Sequence, residues 1–307
     1  MKNILITGGA GFIGIHLIKE LRNNYNIYVI DLPKKINKNL INLKGCKLIK
    51  KDISDRNSFK VLEKIKFEKV YHLAAKTSTS VGEQNPEDCF RTNITGTKYL
   101  YDWCKINRPK EIIFASSMAV YGKNAKNIKE KSVCNPISFY GISKFAGERI
   151  LSKLTDFKLK VRIVRLFNVY GEGQDFDNLL QGMLSIYVAQ IIKTKKVYVT
   201  GGLQRARDFI HVKDVINALN LKIKFTNNLE IFNIGSGKPT TVQKLLSLIF
   251  KITNTKKKIY LRNSHLGDTQ ISFADNKKIK SYGWKNRVQL KKGLLEVIKD
   301  FNNKQKK

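Results

Sequence analysis

A glycine-rich turn between an apolar run and an amphipathic stretch most constrains what this chain can fold into. The sequence Thr7-Gly8-Gly9-Ala10-Gly11-Phe12-Ile13-Gly14 follows the apolar residues 4–6, and a helical pattern continues through residues 15–21. A strand, a glycine turn and a helix in this order are typical of a dinucleotide-binding unit, whereas a chance cluster of glycines lacks that context. The pyrophosphate of such a ligand is expected on the free N–H groups that open the helix.

The glycines and a later carboxylate have separate expected roles. Gly8 permits the tight turn, Gly11 lets the backbone approach the pyrophosphate, and Gly14 lets the helix pack closely. An acidic residue about 20 positions further on, at the end of the second strand, would hold the adenosine ribose. The apolar residues 27–30 end in Asp31, which meets that expectation. The alternative is a glycine turn that binds no nucleotide.

Composition excludes several classes of protein. The 307 residues, 42% of them hydrophobic, can form one large domain or two modest ones. No apolar run approaches the ~20 residues of a membrane span, and the N-terminal apolar stretch is too short for a secretory signal. The four cysteines lack zinc-ligand and redox-motif spacing. We therefore predict a cytoplasmic protein with reduced thiols, no metal site and no membrane insertion.

The formal net charge of +34 has two interpretations. One is affinity for nucleic acid or an acidic membrane surface. The other is a compositional bias towards lysine, since lysines are scattered along the chain and only residues 256–258 form a tight run in mid-chain. No signature of a nucleic-acid-binding module accompanies the charge. We favour the bias and predict no nucleic-acid partner, although a general attraction for anionic substrates fits the charge.

Carboxyl ends of successive predicted strands carry small or polar residues. A third strand from Cys46 to Ile49 precedes Asp52, which is predicted either to accept a hydrogen bond from adenine or to cap a helix beginning near Ser58. The fourth strand (69–75) ends in small residues, and the fifth (111–115) is followed by two serines. A helix from about Pro86 to Asn107 lies between them. This alternation predicts an α/β fold with a doubly wound parallel sheet of the Rossmann type.

Tyr140 and Lys144 lie four residues apart in a helix predicted from Ser138 to about Leu154, so they share one face. A free tyrosine has a pKa near ~10 and is a poor base, but an adjacent ammonium group favours the phenolate. Ser117, at the end of the fifth strand, is placed to hold the same substrate oxygen during proton transfer. We therefore predict Ser117, Tyr140 and Lys144 as catalytic residues.

Together these motifs resemble the extended short-chain dehydrogenase/reductases, specifically the NAD-dependent nucleotide-sugar epimerases and dehydratases similar to UDP-glucose 4-epimerase. The resemblance covers nearly the whole chain. Further matching motifs are residues 72–75, Asn93, residues 165–171, residues 207–214, Gly267-Asp268 and Ala274-Asp275.

The resemblance implies NAD as cofactor, a nucleotide-diphosphate sugar as substrate and a homodimer. It implies an NAD-binding Rossmann domain of residues 1–171, to which 207–235 return, and a smaller nucleotide-sugar-binding lobe of 172–206 and 236–307. The implied NAD-binding residues are Gly8, Gly11, Phe12, Ile13, Gly14, Asp31, Asp52, Ile53, Leu73, Ala74, Ala75, Asn93, Ser116, Tyr140, Lys144 and Phe167.

The resemblance also implies contacts to the substrate. Asn168 matches a residue that touches the sugar nucleotide, and Arg207 matches the arginine that holds the diphosphate with its planar, charged fork. The alternative for Arg207 is a surface ion pair with Asp208 or Asp214.

Two departures from the family pattern affect these contacts. One additional residue separates Gln204 from Arg207, which makes Arg205 a further candidate for the phosphate contact. His265 stands where the family often has arginine, and it is a weaker, pH-dependent partner for an anion.

Two positions narrow the reaction and the sugar. Met118 and Ala119 stand where dehydratases carry proton-transferring side chains, so the resemblance implies oxidation at C4 without loss of water. An epimerase, a dehydrogenase and a non-catalytic NAD-binding regulator remain open. Ser272 matches the position at which, in the resembled epimerases, an aromatic side chain excludes an N-acetyl group. The resemblance therefore implies that an N-acetylated UDP-hexosamine is accepted alongside the plain UDP-hexose.

Overall fold

The computed structural model describes residues 1–36, 45–123, 127–180, 182–263 and 271–305. The strands are β1 Lys2–Thr7, β2 Tyr25–Asp31, β3 Cys46–Lys50, β4 Lys69–His72, β5 Glu111–Ser117, β6 Lys160–Leu166, β7 Asn168–Tyr170, β8 Lys196–Thr200, β9 Ala206–His211, β10 Leu229–Ile234, β11 Pro239–Thr241, β12 Lys258–Arg262 and β13 Ile271–Ser272. The α-helices are α1 Phe12–Leu21, α2 Thr79–Gln84, α3 Pro86–Phe90, α4 Gly96–Asn107, α5 Phe139–Ser152, α6 Met183–Lys193, α7 Val212–Asn220, α8 Val242–Thr253, α9 Lys277–Ser281 and α10 Leu290–Gln305.

Seven strands form the main sheet, in the order β10-β6-β5-β4-β1-β2-β3. The pairs of β1 with β2, β2 with β3, β1 with β4 and β4 with β5 are all parallel. The chain builds outwards in one direction from β1 to β3 and in the other from β4 onwards, so the order reverses beside β1. This confirms the predicted Rossmann-type doubly wound sheet, whose ligand crevice lies at that reversal.

A second set of strands is organised by β9. β11 pairs with β9 in the antiparallel sense, whereas β13 and β7 pair with it in parallel. β8 and β12 form a separate parallel pair. β9 therefore collects strands from three other parts of the chain.

The chain divides into two compact units. The first comprises Met1–Val120, Ser138–Arg165 and Leu219–Phe232, and the second comprises Tyr121–Ile137, Leu166–Ala218 and Asn233–Lys307. Each has its own apolar cluster, such as Leu5, Leu100, Ile112 and Leu151 in the first and Val188, Val197, Leu245 and Leu294 in the second.

These units differ from the division expected from sequence in four places, since residues 121–137, 166–171, 207–218 and 233–235 all group with the second unit. Residues 207–218 group with the second unit, because β9 pairs with three strands of that unit. Residues 121–137 also group there, and Ile128 forms a β-bridge with Ala274.

Local differences from the predicted elements are small. The predicted helix from Pro86 to Asn107 is interrupted by a π-helical segment, Arg91–Thr95, between α3 and α4. Such segments are rare and occur frequently at functional sites. The fourth strand ends at His72 rather than at residue 75. No helix in the described ranges is long and apolar enough to cross a bilayer.

Candidate functional site

The glycine turn after β1 is closely packed. Gly8 has φ +74°, and a Cβ added there would lie 2.5 Å from the backbone nitrogen of Ala74. A Cβ on Gly14 would lie 2.5 Å from the Gly8 carbonyl oxygen. Gly14 therefore allows the helix to pack closely against the glycine turn itself. The N-cap of α1 is Gly11, which has no side chain to offer the first N–H groups of Phe12 and Ile13. These groups suit an anionic ligand.

Asp31 joins the end of β2 to this turn. Its Oδ2 accepts a hydrogen bond from the Ala10 backbone nitrogen at 2.8 Å, and its Oδ1 accepts one from Leu32 at 2.8 Å. Burial raises the pKa of Asp31, although these two bonds and the charge of Lys35 oppose that effect. Each oxygen keeps a further lone pair, so the carboxylate can accept bonds from ribose hydroxyl groups as well.

Asp52 lies in a polar turn beyond β3 and does not cap a helix. Its Oδ1 accepts bonds from the backbone nitrogen and hydroxyl of Ser54 at 2.9 and 2.7 Å, and Arg91 lies 3.3 Å from Oδ2. The following short helix, Arg56–Leu62, is instead capped by Asp55. The capping alternative for Asp52 was therefore wrong, because Asp55 is the residue beside the first helical N–H groups.

Asn93 holds the backbone that follows β4. Its amide oxygen accepts from the Lys76 nitrogen at 2.8 Å, and its amide nitrogen donates to the Lys76 carbonyl at 2.9 Å and to Ser143 Oγ at 2.8 Å. This arrangement supports the half-buried residues Leu73, Ala74 and Ala75. The backbone N–H of Leu73 donates to the Thr7 carbonyl at 3.0 Å. The π-helical segment carries Asn93, which makes these contacts as a positioning side chain.

Ser117, Tyr140 and Lys144 meet where β5 ends and α5 begins. Ser138 caps α5 by accepting a bond from the Gly141 nitrogen at 3.0 Å, which confirms the predicted helix start. Ser117 hydrogen-bonds Tyr140, and the Lys144 ammonium lies 4.5 Å from the centre of the Phe114 ring. The sequence-predicted catalytic residues are therefore brought together in one cluster, in which Ser117 and Lys144 are buried and Tyr140 is half-buried.

Burial shapes the acid–base properties of this cluster. It raises the pKa of Tyr140 to about 12, against the opposing effect of the Ser117 hydrogen bond. It lowers the pKa of Lys144 to about 8, against the opposing charge of Glu148. The sequence predicted that the Lys144 ammonium would lower the pKa of Tyr140. That pKa is raised instead, because removal from water favours the neutral form of both groups.

Asn168, Arg207 and Ser272 are gathered around β9. Asn168 Nδ2 donates to the Asp208 carbonyl at 3.1 Å, and Ser272 pairs with Arg207 in the β13–β9 register. Arg207 is 6% exposed and therefore does not lie at the surface. Arg205, directly before β9, is equally buried.

The remaining predicted residues are placed as follows. Phe167 is buried and its nitrogen donates to the Ile234 carbonyl at 3.0 Å. Ile53 is buried against α4, where a Cβ on Gly96 would lie 2.7 Å from its Cδ1. His265 lies outside the described residues. The hydroxyl of Ser116 donates a hydrogen bond to Glu148 at 2.5 Å.

Two acidic residues near the site were missed by sequence reasoning. Asp208 accepts bonds from the nitrogens of Ser236, Gly237 and Ala274 at 2.7, 2.9 and 3.1 Å. Glu148 stands four residues after Lys144, and that helical spacing was a usable signal. No equivalent local signal marks Asp208, because its partners are distant in sequence.

Comparison with known proteins identifies the family. The model described as the NAD dependent epimerase/dehydratase family matches residues 4–235. The chain belongs to this family. A curated protein of the epimerase/dehydratase family that it resembles is a putative UDP-glucose 4-epimerase of Methanocaldococcus jannaschii, 34% identical over 98% of both chains.

Solved structures of the epimerase/dehydratase family show the same fold. UDP-glucose 4-epimerase of Thermotoga maritima, solved with UDP-glucose, is 31% identical, with a TM-score of 0.90 over 99% of both chains. UDP-N-acetylglucosamine 4-epimerase of Methanobrevibacter ruminantium, solved with UDP-N-acetylmuramic acid, is 28% identical, with a TM-score of 0.90 over 99% of both chains.

The cofactor of the epimerase/dehydratase family is NAD, and the residues present fit it. The Gly8 turn leaves no space for a side chain, and the opening N–H groups of α1 are suited to a pyrophosphate. Asp31 stands at the end of β2, beside that turn. These features provide the phosphate and ribose contacts of a dinucleotide site.

Proposed function

We propose that this protein is an NAD-dependent 4-epimerase of a UDP-linked hexose, acting in the cytoplasm as a homodimer. The observation that carries the proposal is the convergence of Ser117, at the end of β5, with Tyr140 and Lys144, one turn apart at the start of α5. The UDP-sugar 4-epimerases to which the chain is similar support the reaction and the nucleotide.

The residues of the site have distinct proposed roles. Bound NAD would supply the hydride acceptor and donor for the sugar carbon that carries the 4-hydroxyl group. Tyr140 takes up the proton of the 4-hydroxyl group and later returns it, while Ser117 holds the same oxygen by a hydrogen bond. The positive charge of Lys144 enlarges the phenolate population of Tyr140, which burial otherwise keeps small.

The neighbouring side chains favour epimerisation over elimination. Met118 and Ala119, directly after Ser117, carry no group that transfers protons. The 4-keto sugar is therefore reduced again without loss of water. Asn168 and the buried Arg207 are proposed to bind the nucleotide-diphosphate moiety, with Arg205 as an additional cation.

The reaction is tested by incubating the purified protein with NAD and UDP-glucose, UDP-N-acetylglucosamine, UDP-glucuronate or a GDP-hexose, and following the sugars by proton NMR. We expect the C4 epimer of a UDP-sugar without accumulation of NADH. Stoichiometric NADH with a released keto sugar would show a dehydrogenase instead. Conversion of the GDP-sugar alone would contradict the proposed nucleotide.

The sugar preference is tested at Ser272. A serine leaves space that an aromatic ring would fill, and removing a steric barrier broadens substrate choice. We expect wild type to accept both UDP-glucose and UDP-N-acetylglucosamine, and Ser272→Tyr to lower kcat/KM for the acetylated sugar selectively, by at least about tenfold. Ser272→Ala is the control and should keep both activities. An unchanged ratio in the tyrosine variant would refute the assignment.

A further inference from the structure

Glu148 makes a buried ion pair directly behind the catalytic cluster. It is 3% exposed, and its Oε1 accepts bonds from Ser116 Oγ at 2.5 Å and from Arg165 Nε at 2.9 Å. Its Oε2 accepts a bond from Arg165 Nη2 at 2.7 Å. The two parallel bonds from Arg165 form a bidentate pair, the strong and directional form of this interaction.

Three elements that build the site meet at this carboxylate. Ser116 precedes Ser117 at the end of β5, Arg165 lies in β6, and Glu148 lies in α5 one turn after Lys144. Holding Ser116 therefore restrains the backbone of Ser117 relative to the helix of Tyr140. A displacement of about 1 Å between reacting groups can cost about 100-fold in rate, so such a restraint has kinetic value.

The charge of Glu148 also acts on Lys144. Burial favours the neutral amine, and Glu148 is the strongest opposing influence; the Cys89 thiol contributes less. The other ionisable groups around the cluster are Tyr140 and His72, whose imidazole is neutral because burial lowers its pKa to about 3. Glu148 therefore supplies the principal negative charge that favours the ammonium form of Lys144.

We propose that Glu148 is a positioning residue that clamps the end of β5 to α5 and keeps Lys144 protonated beside Tyr140. The kinetic part of this inference rests on the proposed epimerase function. The effect on Lys144 does not, because it can be measured without substrate.

The test replaces the carboxylate by its neutral isostere, Glu148→Gln. Competitive acetylation of amines across a pH series, read by mass spectrometry, titrates Lys144 in wild type and variant. We expect the Lys144 midpoint to fall by at least about one pH unit, because the negative charge is lost and Arg165 is left uncompensated. Where the epimerase assay is active, kcat should fall by about tenfold, and the pH profile should move to lower pH with little change in KM.

Matched variants separate the proposed role from a loss of folding. Glu111→Gln removes another buried carboxylate that pairs with an arginine, Arg162, and that lies at the opposite end of β5. It should destabilise the protein without moving the Lys144 midpoint. Glu148→Asp keeps the negative charge, so its Lys144 midpoint should lie close to that of wild type.

The outcomes are distinguishable from those of the proposed function. An unchanged Lys144 midpoint in Glu148→Gln, or an equal shift in Glu111→Gln, would overturn the inference whatever the enzyme does. A shifted midpoint in a protein that epimerises no sugar would uphold the charge effect and refute the epimerase proposal instead.

Discussion

The hydroxyl of Tyr140 is the group on which the proposed chemistry depends. Tyr140→Phe removes it with little change in volume, so turnover should fall by at least ~100-fold, the scale of lost acid–base catalysis. NAD should remain bound, since the glycine turn and Asp31 are untouched. Steady-state kinetics and the absorbance of bound cofactor measure both effects. Tyr71→Phe is the control, because Tyr71 is also buried but bonds Asn220 instead; near-normal turnover in Tyr140→Phe would refute the assignment.

The carboxylate of Asp31 should select NAD over NADP. It stands beside the glycine turn, where a 2′-phosphate on the ribose would meet its negative charge. Cofactor released by denaturing the purified protein should be NAD(H). Asp31→Asn keeps one acceptor oxygen, which can still bond the Ala10 nitrogen, but removes the charge, and it should weaken the preference for NAD over NADP by at least about tenfold. Lys35→Ala, which removes a nearby charge of opposite sign, should not weaken that preference. Recovery of mainly NADP(H) from wild type would contradict the prediction.

At the scale of elements, α2 and the start of α5 approach so closely that only glycine fits between them. A Cβ on Gly82 would lie 2.9 Å from the Tyr140 nitrogen and 3.1 Å from its Cβ, and backbone atoms yield less readily than side-chain ends. Gly82→Ala should therefore shift Tyr140 by a few tenths of an ångström and lower kcat by roughly three- to tenfold, with KM nearly unchanged. Thr79→Ala, exposed on the same helix, controls for helix propensity. Equal kcat in the two variants would show that the contact does not position Tyr140.

At the scale of the whole molecule, a buried histidine links folding to pH. His72 Nδ1 lies 2.7 Å from Thr7 Oγ1 and Nε2 lies 2.9 Å from Thr97 Oγ1, and burial lowers its pKa to about 3. An unfolded histidine has a pKa near ~6.5, so between these values the unfolded state binds the additional proton. The free energy of unfolding should therefore fall as the pH drops from about 6.5 to about 3, by a few kcal/mol.

Denaturant titrations across this pH range test whether His72 makes the free energy of unfolding depend on pH. His72→Gln removes the titration, so its free energy of unfolding should change less with pH, although its value at pH 7 should be lower because buried hydrogen bonds are lost. The half-exposed His16 provides the control variant, His16→Gln, which should retain the wild-type slope. A slope that is the same in all three proteins would exclude His72 as its source.

Local patterns were sufficient for the sheet and for much of the cluster. The glycine turn, the Asp31 position and the helix capped by Ser138 are set by backbone stereochemistry and by spacing within a few residues. The alternation of strands and helices determined the doubly wound sheet, because parallel strands require crossover connections. The proximity of Ser117 to Tyr140 followed as well, since carboxyl ends of parallel strands share one edge of the sheet.

The contacts that only the tertiary structure decided are those between residues distant in sequence. Asn93 bonds Lys76, and β9 pairs with β7, β11 and β13. Burial also reversed one expectation, because it raises the pKa of Tyr140 and outweighs the opposing effect of the Ser117 hydrogen bond. A sequence specifies which groups can ionise or bond, but their desolvation and their partners depend on which distant segments pack around them.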